Sequence, residues 1–290
     1  MATLLDAKDI LGVYYTPAGK PVIGVNNVSV QIQEGEVLGL AGESGSGKST
    51  LGSIISLTAR DPLVVENGTV EIDGERQNLA RMDRIPRTWR GAVVSMLPQG
   101  AMNSVSATMR IRDLVFDVMR AHDGKVSKDE ALDRARDRLV SLGLPPRALD
   151  AYPHQLSGGM KQRVVTIIST LLNPRLLIAD EPTSALDVSS QKALIEMLLE
   201  MLDKRIMSGV IFITHDLPAL RTVATHIGVM YQGRMVETGP TDVIVDRPEH
   251  PYTQALLSSV LTPEPKYAKI RIEGMSSYDR SLFDAPAVIH

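Results

Sequence analysis

The chain has 290 residues, of which 43% are apolar, and a formal net charge of −3. This size and composition are typical of one large domain or one domain with appendages, and the small acidic excess argues against a general nucleic-acid binder. The chain contains no cysteine, which excludes disulfides, thiolate zinc sites and cysteine-ligated iron–sulfur clusters.

The sequence predicts neither a membrane span nor a signal peptide. The longest apolar runs, such as residues 176–179 and 209–213, have the length of buried strands, whereas a spanning helix needs roughly 20 apolar residues. Residues 1–10 carry acids within their apolar stretch and lack the basic start of a signal peptide. We therefore expect any membrane role to come through a partner.

The first part of the chain predicts strands around a glycine-rich loop. Residues 22–40 contain two short strands, and the second is nearly all apolar and leads into the loop at 42–50, with a helix beginning at Lys48. Residues 63–74 alternate in polarity and include Asn67-Gly68 and Asp73-Gly74. These turn signals suggest antiparallel strands.

A helical pattern follows over residues 104–156. The residues of one helical face are apolar: Ile111, Leu114, Val115, Val118 and Met119. Ser127 and Glu130 predict a capping box at the start of a second helix, which Gly143 is expected to end. We interpret this segment as a helical insertion within an α/β chain.

The second half alternates between helices and strands. A helix is expected from Gly158 to Asn173, a strand at 176–179, a helix at 189–204 and a strand at 210–214. This order predicts a parallel sheet with helices on its faces. Residues 227–239 predict a hairpin that turns at Gln232-Gly233, and the proline-containing residues beyond 240 are expected to form an appendage.

The loop "GESGSGKST" at 42–50 matches the phosphate-binding pattern G-x-x-x-x-G-K-[ST]. Its glycines let backbone N–H groups wrap a phosphate, Lys48 reaches the β- and γ-phosphates, and the Ser49 hydroxyl ligates Mg²⁺. A glycine-rich turn without a ligand is the alternative, but the preceding apolar strand favours nucleotide binding.

Two adjacent acids and a histidine end the next buried strands. Strand alternation is expected to send Asp180 to a magnesium ion and Glu181 to the water that attacks the γ-phosphate. His215 lies where open sheets bind ligands and could order that water. Beside the loop, these roles are favoured over solvated acids and a structural histidine. Gln99 could ligate Mg²⁺ through its amide oxygen or remain a surface loop residue.

The stretch "HQLSGGMKQR" at 154–163 offers a second anion-binding arrangement, because Ser157, Gly158 and Gly159 lie at a predicted helix N-terminus. A serine N-cap with glycines for close packing is an alternative of comparable weight. Tyr14 or Tyr15 could stack on a base, although a core or surface role fits the pattern equally well.

These motifs together resemble those of ATPase subunits of ABC transporters, in the order of that family and over about residues 4–265. The resemblance identifies residues 42–50 as the Walker A loop, 156–163 as the signature, 176–181 as Walker B and 184–187 as the D-loop. It implies ATP binding by Tyr14, Gly42, Ser44, Gly45, Ser46, Gly47, Lys48, Ser49 and Thr50. It implies catalytic roles for Glu181, His215 and Gln99, and Mg²⁺ binding by Ser49, Gln99 and Asp180.

The same resemblance implies that two subunits enclose two ATP molecules head to tail. Ser157, Gly158, Gly159 and Gln162 would then contact ATP held by the partner, with Ser184 and Asp187 in the D-loop between the subunits. The implied fold is a P-loop NTPase α/β fold, with a RecA-like mixed sheet and an antiparallel β subdomain. Its expected parts are a core at 1–98 and 157–240, a helical subdomain at 99–156 and a C-terminal extension at 241–290.

Residues 247–265, "RPEHPYTQALLSSVLTPEP", are similar to the extension of oligopeptide, dipeptide and nickel import ATPases. This group implies an ATPase subunit at the cytoplasmic face of the membrane that powers solute import. Its partners would be a second, usually different ATPase subunit, two transmembrane permease subunits and an extracytoplasmic solute-binding protein, with no nucleic acid. Many members bind an iron–sulfur cluster in this tail, which the absence of cysteine excludes here.

Peptides are the expected solute, and an oligosaccharide importer of the same group is the alternative. A soluble ABC ATPase that acts on ribosomes or DNA is disfavoured, because the chain has a single ATPase unit, no long heptad run and no basic excess. The tail also disfavours an exporter subunit.

Overall fold

The computed structural model describes residues 2–17, 19–101, 106–260 and 283–290. The strands of this part are β1 (Thr3–Tyr14), β2 (Val22–Gln33), β3 (Val37–Ala41), β4 (Leu63–Ile72), β5 (Glu75–Asn78), β6 (Val94–Leu97), β7 (Leu176–Asp180), β8 (Gly209–Ile213), β9 (His226–Tyr231), β10 (Arg234–Pro240) and β11 (Val288–Ile289). The helices are α1 (Lys48–Ile55), α2 (Trp89–Ala92), α3 (Ile111–His122), α4 (Lys128–Ser141), α5 (Gly158–Ser169), α6 (Val188–Asp203), α7 (Leu217–Val223), α8 (Thr241–Asp246) and α9 (Pro251–Val260).

The apolar strands form a mixed main sheet with the order β11-β10-β9-β3-β8-β7-β6. The strands from β9 to β6 are parallel, and β10 joins β9 antiparallel. All residues of β3, β7 and β8 are buried, as expected for parallel strands covered on both faces. The predicted α/β sheet is confirmed, and its β9–β10 hairpin turns at Gln232-Gly233 as predicted.

A second, antiparallel sheet has the order β2-β1-β4-β5. Its strand β1 had no counterpart in the sequence prediction, although it pairs with both β2 and β4. The chain turns at Asp73-Gly74 between β4 and β5. Asn67-Gly68 makes no hairpin, because β4 runs through it with Gly68 at a φ of 131° beside a shift in register against β1.

Two apolar cores lie on opposite faces of the main sheet. Along β3, Leu38 and Leu40 pack with α1 and the antiparallel sheet, whereas Val37 and Ala41 pack with the helices of the other face. This division follows from the alternation of side chains along a strand. The phosphate loop therefore lies at the end of a strand that is anchored from both sides.

The helices α3 and α4 lie within the segment predicted to be helical. Ser127 accepts a hydrogen bond from the Glu130 N–H at 3.2 Å, while the Glu130 carboxylate pairs with Arg134. The serine half of the predicted capping box therefore forms, and the Glu130 side chain is engaged elsewhere. Gly143 has a φ of 68° and ends α4 as predicted. The division of the chain into domains stays a prediction.

The residues after β10 return to the main sheet. The helices α8 and α9 follow β10, and β11 pairs in parallel with β10. In residues 2–17, 19–101, 106–260 and 283–290, no helix combines the length and apolar character that crossing a membrane requires.

Candidate active site

The loop between β3 and α1 has a backbone that only glycine can form at two points. A Cβ atom on Gly42, whose φ is 141°, would lie 2.3 Å from the Met230 carbonyl oxygen. A Cβ atom on Gly47, whose φ is 103°, would lie 2.4 Å from the Gly24 carbonyl oxygen. Because backbone from β9 and β2 approaches so closely, the loop conformation is held by its neighbours.

Lys48 begins α1 and is buried beneath this loop. Its ammonium donates hydrogen bonds to the carbonyl oxygens of Gly42 and Glu43, each at 2.8 Å, and to Ser46 Oγ at 3.2 Å. Burial lowers the pKa of Lys48, while the nearby carboxylate of Glu181 opposes that shift. The loop thus holds the Lys48 ammonium beneath its own backbone.

Ser49 and Asp180 meet beside the loop. The Ser49 hydroxyl donates to Asp180 Oδ1 at 3.0 Å, which joins α1 to the end of β7. Burial raises the pKa of Asp180, and the hydrogen bond from Ser49 acts in the opposite direction. A hydroxyl and a carboxylate oxygen at this distance suit Mg²⁺, which prefers oxygen ligands. The two residues therefore fit the predicted metal site.

Glu181 and His215 form a second pair at the same edge of the sheet. His215 Nδ1 lies 2.8 Å from Glu181 Oε1, and the imidazole is largely exposed while the carboxylate is mostly buried. The two acids diverge, but not through strand alternation, because β7 ends at Asp180 and Glu181 has a φ of 48°. After this left-handed residue, the Glu181 carboxylate meets His215, which lies two residues beyond the end of β8.

Gln99 follows β6 in an exposed turn at the same edge. Leu97 pairs with Ala179 in the sheet, so Gln99 and Glu181 each lie two residues beyond these paired positions. The topology brings Gln99 to the edge that holds the two acids, and its role as a ligand stays a prediction.

The two tyrosines upstream of β2 occupy different surroundings. The Tyr14 ring lies against Gly24, and its hydroxyl is 2.9 Å from Thr50 Oγ1. The Tyr15 ring is more exposed, and its hydroxyl donates to Glu66. Tyr14 is thus tied to the helix that follows the phosphate loop, and base stacking by either ring stays a prediction.

The stretch around Ser157 combines a helix cap with an open surface. Ser157 caps α5 by accepting the Met160 N–H at 3.3 Å. A Cβ atom on Gly159 would lie 2.5 Å from Ser190 Oγ, so this glycine permits close packing of α5 on α6. Gly158 faces open space, while Gln162 is buried beneath the helix. Ser157 and Gly158 are therefore the exposed residues of the predicted contact, and the contact of Gln162 with the partner's ATP stays a prediction.

The D-loop residues Ser184 and Asp187 form hydrogen bonds with residues two or three positions away in the chain. The Ser184 hydroxyl donates to the Glu181 carbonyl at 2.8 Å. Asp187 caps α6, accepting the Ser190 N–H at 2.9 Å and the hydroxyls of Ser189 and Ser190. These hydrogen bonds, led by that from Ser189, lower the pKa of Asp187 to about 2. The segment 184–187 therefore links the end of β7 to the start of α6.

Sequence reasoning missed one contact to the phosphate loop. The Glu43 N–H donates to the hydroxyl of Tyr252, a buried residue of α9, at 2.9 Å. The motif "HPYT" at 250–253 marked this segment only as a resemblance, and nothing in its pattern indicated contact with the loop.

Comparison with known families gives two matches. A family model described as "ABC transporter" matches residues 25–184. A second, described as "Oligopeptide/dipeptide transporter, C-terminal region", matches residues 236–282. Together these matches cover the phosphate loop, Asp180, Glu181 and residues 241–282 of the C-terminal extension.

Comparison with individual proteins agrees with these matches. The chain is 39% identical to the dipeptide transport ATP-binding protein DppD of Haemophilus influenzae, over 98% of this chain and 84% of the relative. It is also 39% identical to the oligopeptide transport ATP-binding protein OppD of Bacillus subtilis, over 90% of this chain and 73% of the relative. Among solved structures, the dimeric structure of MJ0796, a bacterial ABC transporter cassette, matches with a TM-score of 0.69 and 26% identity, over 82% of this chain and 99% of that chain.

Proposed function

The chain belongs to the ABC transporter family of ATP-binding proteins, and from this premise we propose that it hydrolyses ATP to power the import of dipeptides or oligopeptides. The solute class is supported by the names of the relatives that match nearly the full chain. It is supported further by the match of residues 236–282 to the C-terminal region of peptide transporters.

One observation carries the catalytic part of the proposal. Two polar pairs, Ser49 with Asp180 at 3.0 Å and Glu181 with His215 at 2.8 Å, lie together at the carboxyl edge of the sheet beside the phosphate loop. The first pair suits a cation and the second suits a water molecule that must lose a proton. Phosphoryl transfer to water needs both functions next to bound phosphates.

Each residue of the site has a defined role in this proposal. Loop N–H groups and Lys48 bind the phosphates of ATP, and Ser49 and Asp180 would hold Mg²⁺, with Gln99 as a further candidate ligand. The Mg²⁺ ion, when bound, neutralises phosphate charge. Glu181 accepts a proton from the attacking water, and His215 keeps the Glu181 carboxylate in position.

We further propose that two such subunits enclose ATP between them. The exposed Ser157 and Gly158 at the N-terminus of α5 favour contact with an anion held by the facing subunit. The dimeric cassette MJ0796 supports a two-subunit arrangement. We expect a different ATPase subunit as the partner, with two permease subunits and an extracytoplasmic binding protein, at the cytoplasmic face of the membrane.

Reconstituted transport tests this function. The chain would be assembled with a second ATPase subunit and two permease subunits in liposomes, with the binding protein supplied outside. A labelled dipeptide is expected to stimulate ATP hydrolysis and to accumulate. Stimulation by an oligosaccharide alone would overturn the peptide assignment. In a separate purification of the chain from cells, recovery with ribosomes in place of permeases would overturn the transport role.

A further inference from the structure

The C-terminal extension reaches the phosphate loop through one side chain. Tyr252 lies in α9 and is fully buried, and its hydroxyl accepts the Glu43 N–H at 2.9 Å. Glu43 is the second residue of the loop, directly after Gly42. This hydrogen bond therefore restrains the backbone of the phosphate loop directly.

The Glu43 residue is held from both ends of its backbone. Its carbonyl oxygen accepts the Lys48 ammonium at 2.8 Å, while its N–H points to Tyr252. The backbone of β9 passes close to Gly42, since a Cβ atom added there would lie 2.3 Å from the Met230 carbonyl oxygen. The tyrosine hydroxyl therefore helps to fix the direction of the first peptide groups of the loop, on which phosphate binding depends.

Tyr252 is itself rigidly supported. Its ring lies 4.4 Å from that of Tyr231 and 5.3 Å from that of Phe283, measured between centroids. Its N–H donates to His250 Nδ1 at 3.1 Å. The His250 N–H in turn donates to the buried carboxylate of Glu237 at 3.2 Å. This chain of contacts connects β10 and the C-terminal segment to the loop.

Glu237 anchors the support. Its carboxylate accepts the Glu249 N–H at 2.8 Å and lies 2.9 Å from His290 Nε2. Burial raises the pKa of Glu237, but the hydrogen bonds to its carboxylate, chiefly that from the Glu249 N–H, outweigh that effect and leave the pKa below its ordinary value. The anchor is therefore an ionised carboxylate that is satisfied within the fold.

We propose that Tyr252 is a positioning residue for ATP binding, which holds the phosphate loop in its binding conformation through the Glu43 N–H. The inference rests on the proposed function, since it concerns the same loop. It assigns the C-terminal extension a direct effect on nucleotide affinity. The ligand class is a nucleoside triphosphate, bound through its phosphates.

Tyr252→Phe tests this inference, because it removes the hydroxyl and keeps the ring in its aromatic cluster. The dissociation constant for ATP is expected to rise about three- to tenfold, which is the effect of one hydrogen bond. The hydrolysis rate at saturating ATP is expected to stay unchanged. The matched control is Tyr231→Phe, which removes a hydroxyl of the same cluster that pairs with the Gln232 side chain, and its ATP affinity is expected to stay at the wild-type value.

Two outcomes would overturn the inference. If Tyr252→Phe bound ATP as tightly as the wild type, or if Tyr231→Phe lost as much ATP affinity, Tyr252 would contribute only to packing of the core. If Lys48→Ala then still abolished ATP binding, the proposed function would stand without this inference. If Lys48→Ala also bound ATP normally, the proposed function itself would fail.

Hydrogen exchange in the wild-type protein provides a test that needs no variant. The Glu43 amide is expected to exchange far more slowly than the amide of Gly45, an exposed residue of the same loop. Equal exchange of the two amides would show that the contact to Tyr252 does not form, and the inference would be wrong.

Discussion

Asp180 and Glu181 are neighbours in the chain with opposite surroundings. Asp180 is the last residue of a buried strand and accepts a hydrogen bond from Ser49, and burial raises its pKa. Glu181 leaves the strand through a left-handed conformation and meets His215. One carboxylate is therefore suited to hold a cation and the other to accept a proton.

Glu181→Gln is expected to reduce ATP hydrolysis about a hundredfold or more, because an amide cannot accept the proton of the attacking water. ATP binding should be retained, so that the dimer with bound ATP accumulates. Phosphate release and size-exclusion chromatography measure the two effects. Glu200→Gln removes an exposed carboxylate of α6 that pairs with Lys204, the residue directly after this helix, and serves as the control. Wild-type turnover in Glu181→Gln would exclude the assigned role.

At this scale, the sequence predicts residues whose geometry is set locally. The spacing from Gly42 to Ser49 identifies the loop in the sequence, and the strand that ends at Asp180 brings its carboxylate to Ser49. The contact between Tyr252 and Glu43 joins residues 209 positions apart. It depends on how the C-terminal extension packs, which no local pattern indicates.

Among the elements, β1 shows why a strand can escape prediction. Its buried residues do not alternate, since Leu4 and Leu5 are both buried, as are Gly12 and Val13. Shifts in register break the pairing with β2, including one that spans Asp9, which has a φ of 54°. Bulges of this kind reset the side-chain pattern, so the period-2 signal is lost. The uninterrupted apolar strands β3, β7 and β8 gave a clear signal.

The cap of α6 gives a prediction with a defined pH dependence. Asp187→Ala is expected to lower the unfolding midpoint, because the N–H of Ser190 loses its acceptor. The pKa of Asp187 is lowered to about 2 from the ordinary value of 3.8, so its ionised form contributes stability above the ordinary pKa and loses it as the pH falls toward the lowered one. The difference between the wild type and Asp187→Ala should therefore shrink as the pH falls.

Urea unfolding of both proteins between about pH 6 and about pH 3 measures this dependence. Asp187→Asn keeps an acceptor that does not ionise, so its advantage over Asp187→Ala should stay constant across the same range. A wild-type advantage that is equally constant would contradict the role of the ionised cap.

For the whole molecule, the proposed function implies that the ATP-hydrolysing site is complete only when a second subunit is present. The surface at Ser157 and Gly158 belongs to α5, which Gly159 packs against Ser190 of α6. The sequence identified this surface only through its resemblance to ATPase subunits of ABC transporters. A serine that caps a helix, followed by glycines that allow close packing, would have the same residue pattern. The structure shows the capping serine, and Gly158 faces open space, while the contact with ATP of a partner subunit stays a prediction.

Ser157→Arg is expected to abolish hydrolysis of ATP bound to the partner's phosphate loop, because the long side chain would occupy the space of the γ-phosphate. ATP binding to this chain through Lys48 should be retained. Ser127→Arg is the matched control, because it removes the serine cap of α4 in the same way. Mixed complexes with one variant subunit would be assayed for hydrolysis, and unchanged activity with Ser157→Arg would refute the two-subunit site.

The left-handed conformation of Glu181, at a φ of 48°, implies a conflict between stability and activity at this position. A residue with a Cβ atom is disfavoured there by about 1 kcal/mol, whereas glycine is not. Glu181→Gly and Glu181→Ala both lose the carboxylate, yet we expect the glycine variant to unfold at the higher temperature in calorimetry. Glycine would be the more stable choice at this position, and the proposed role of the Glu181 carboxylate in hydrolysis gives a reason for glutamate to be kept there.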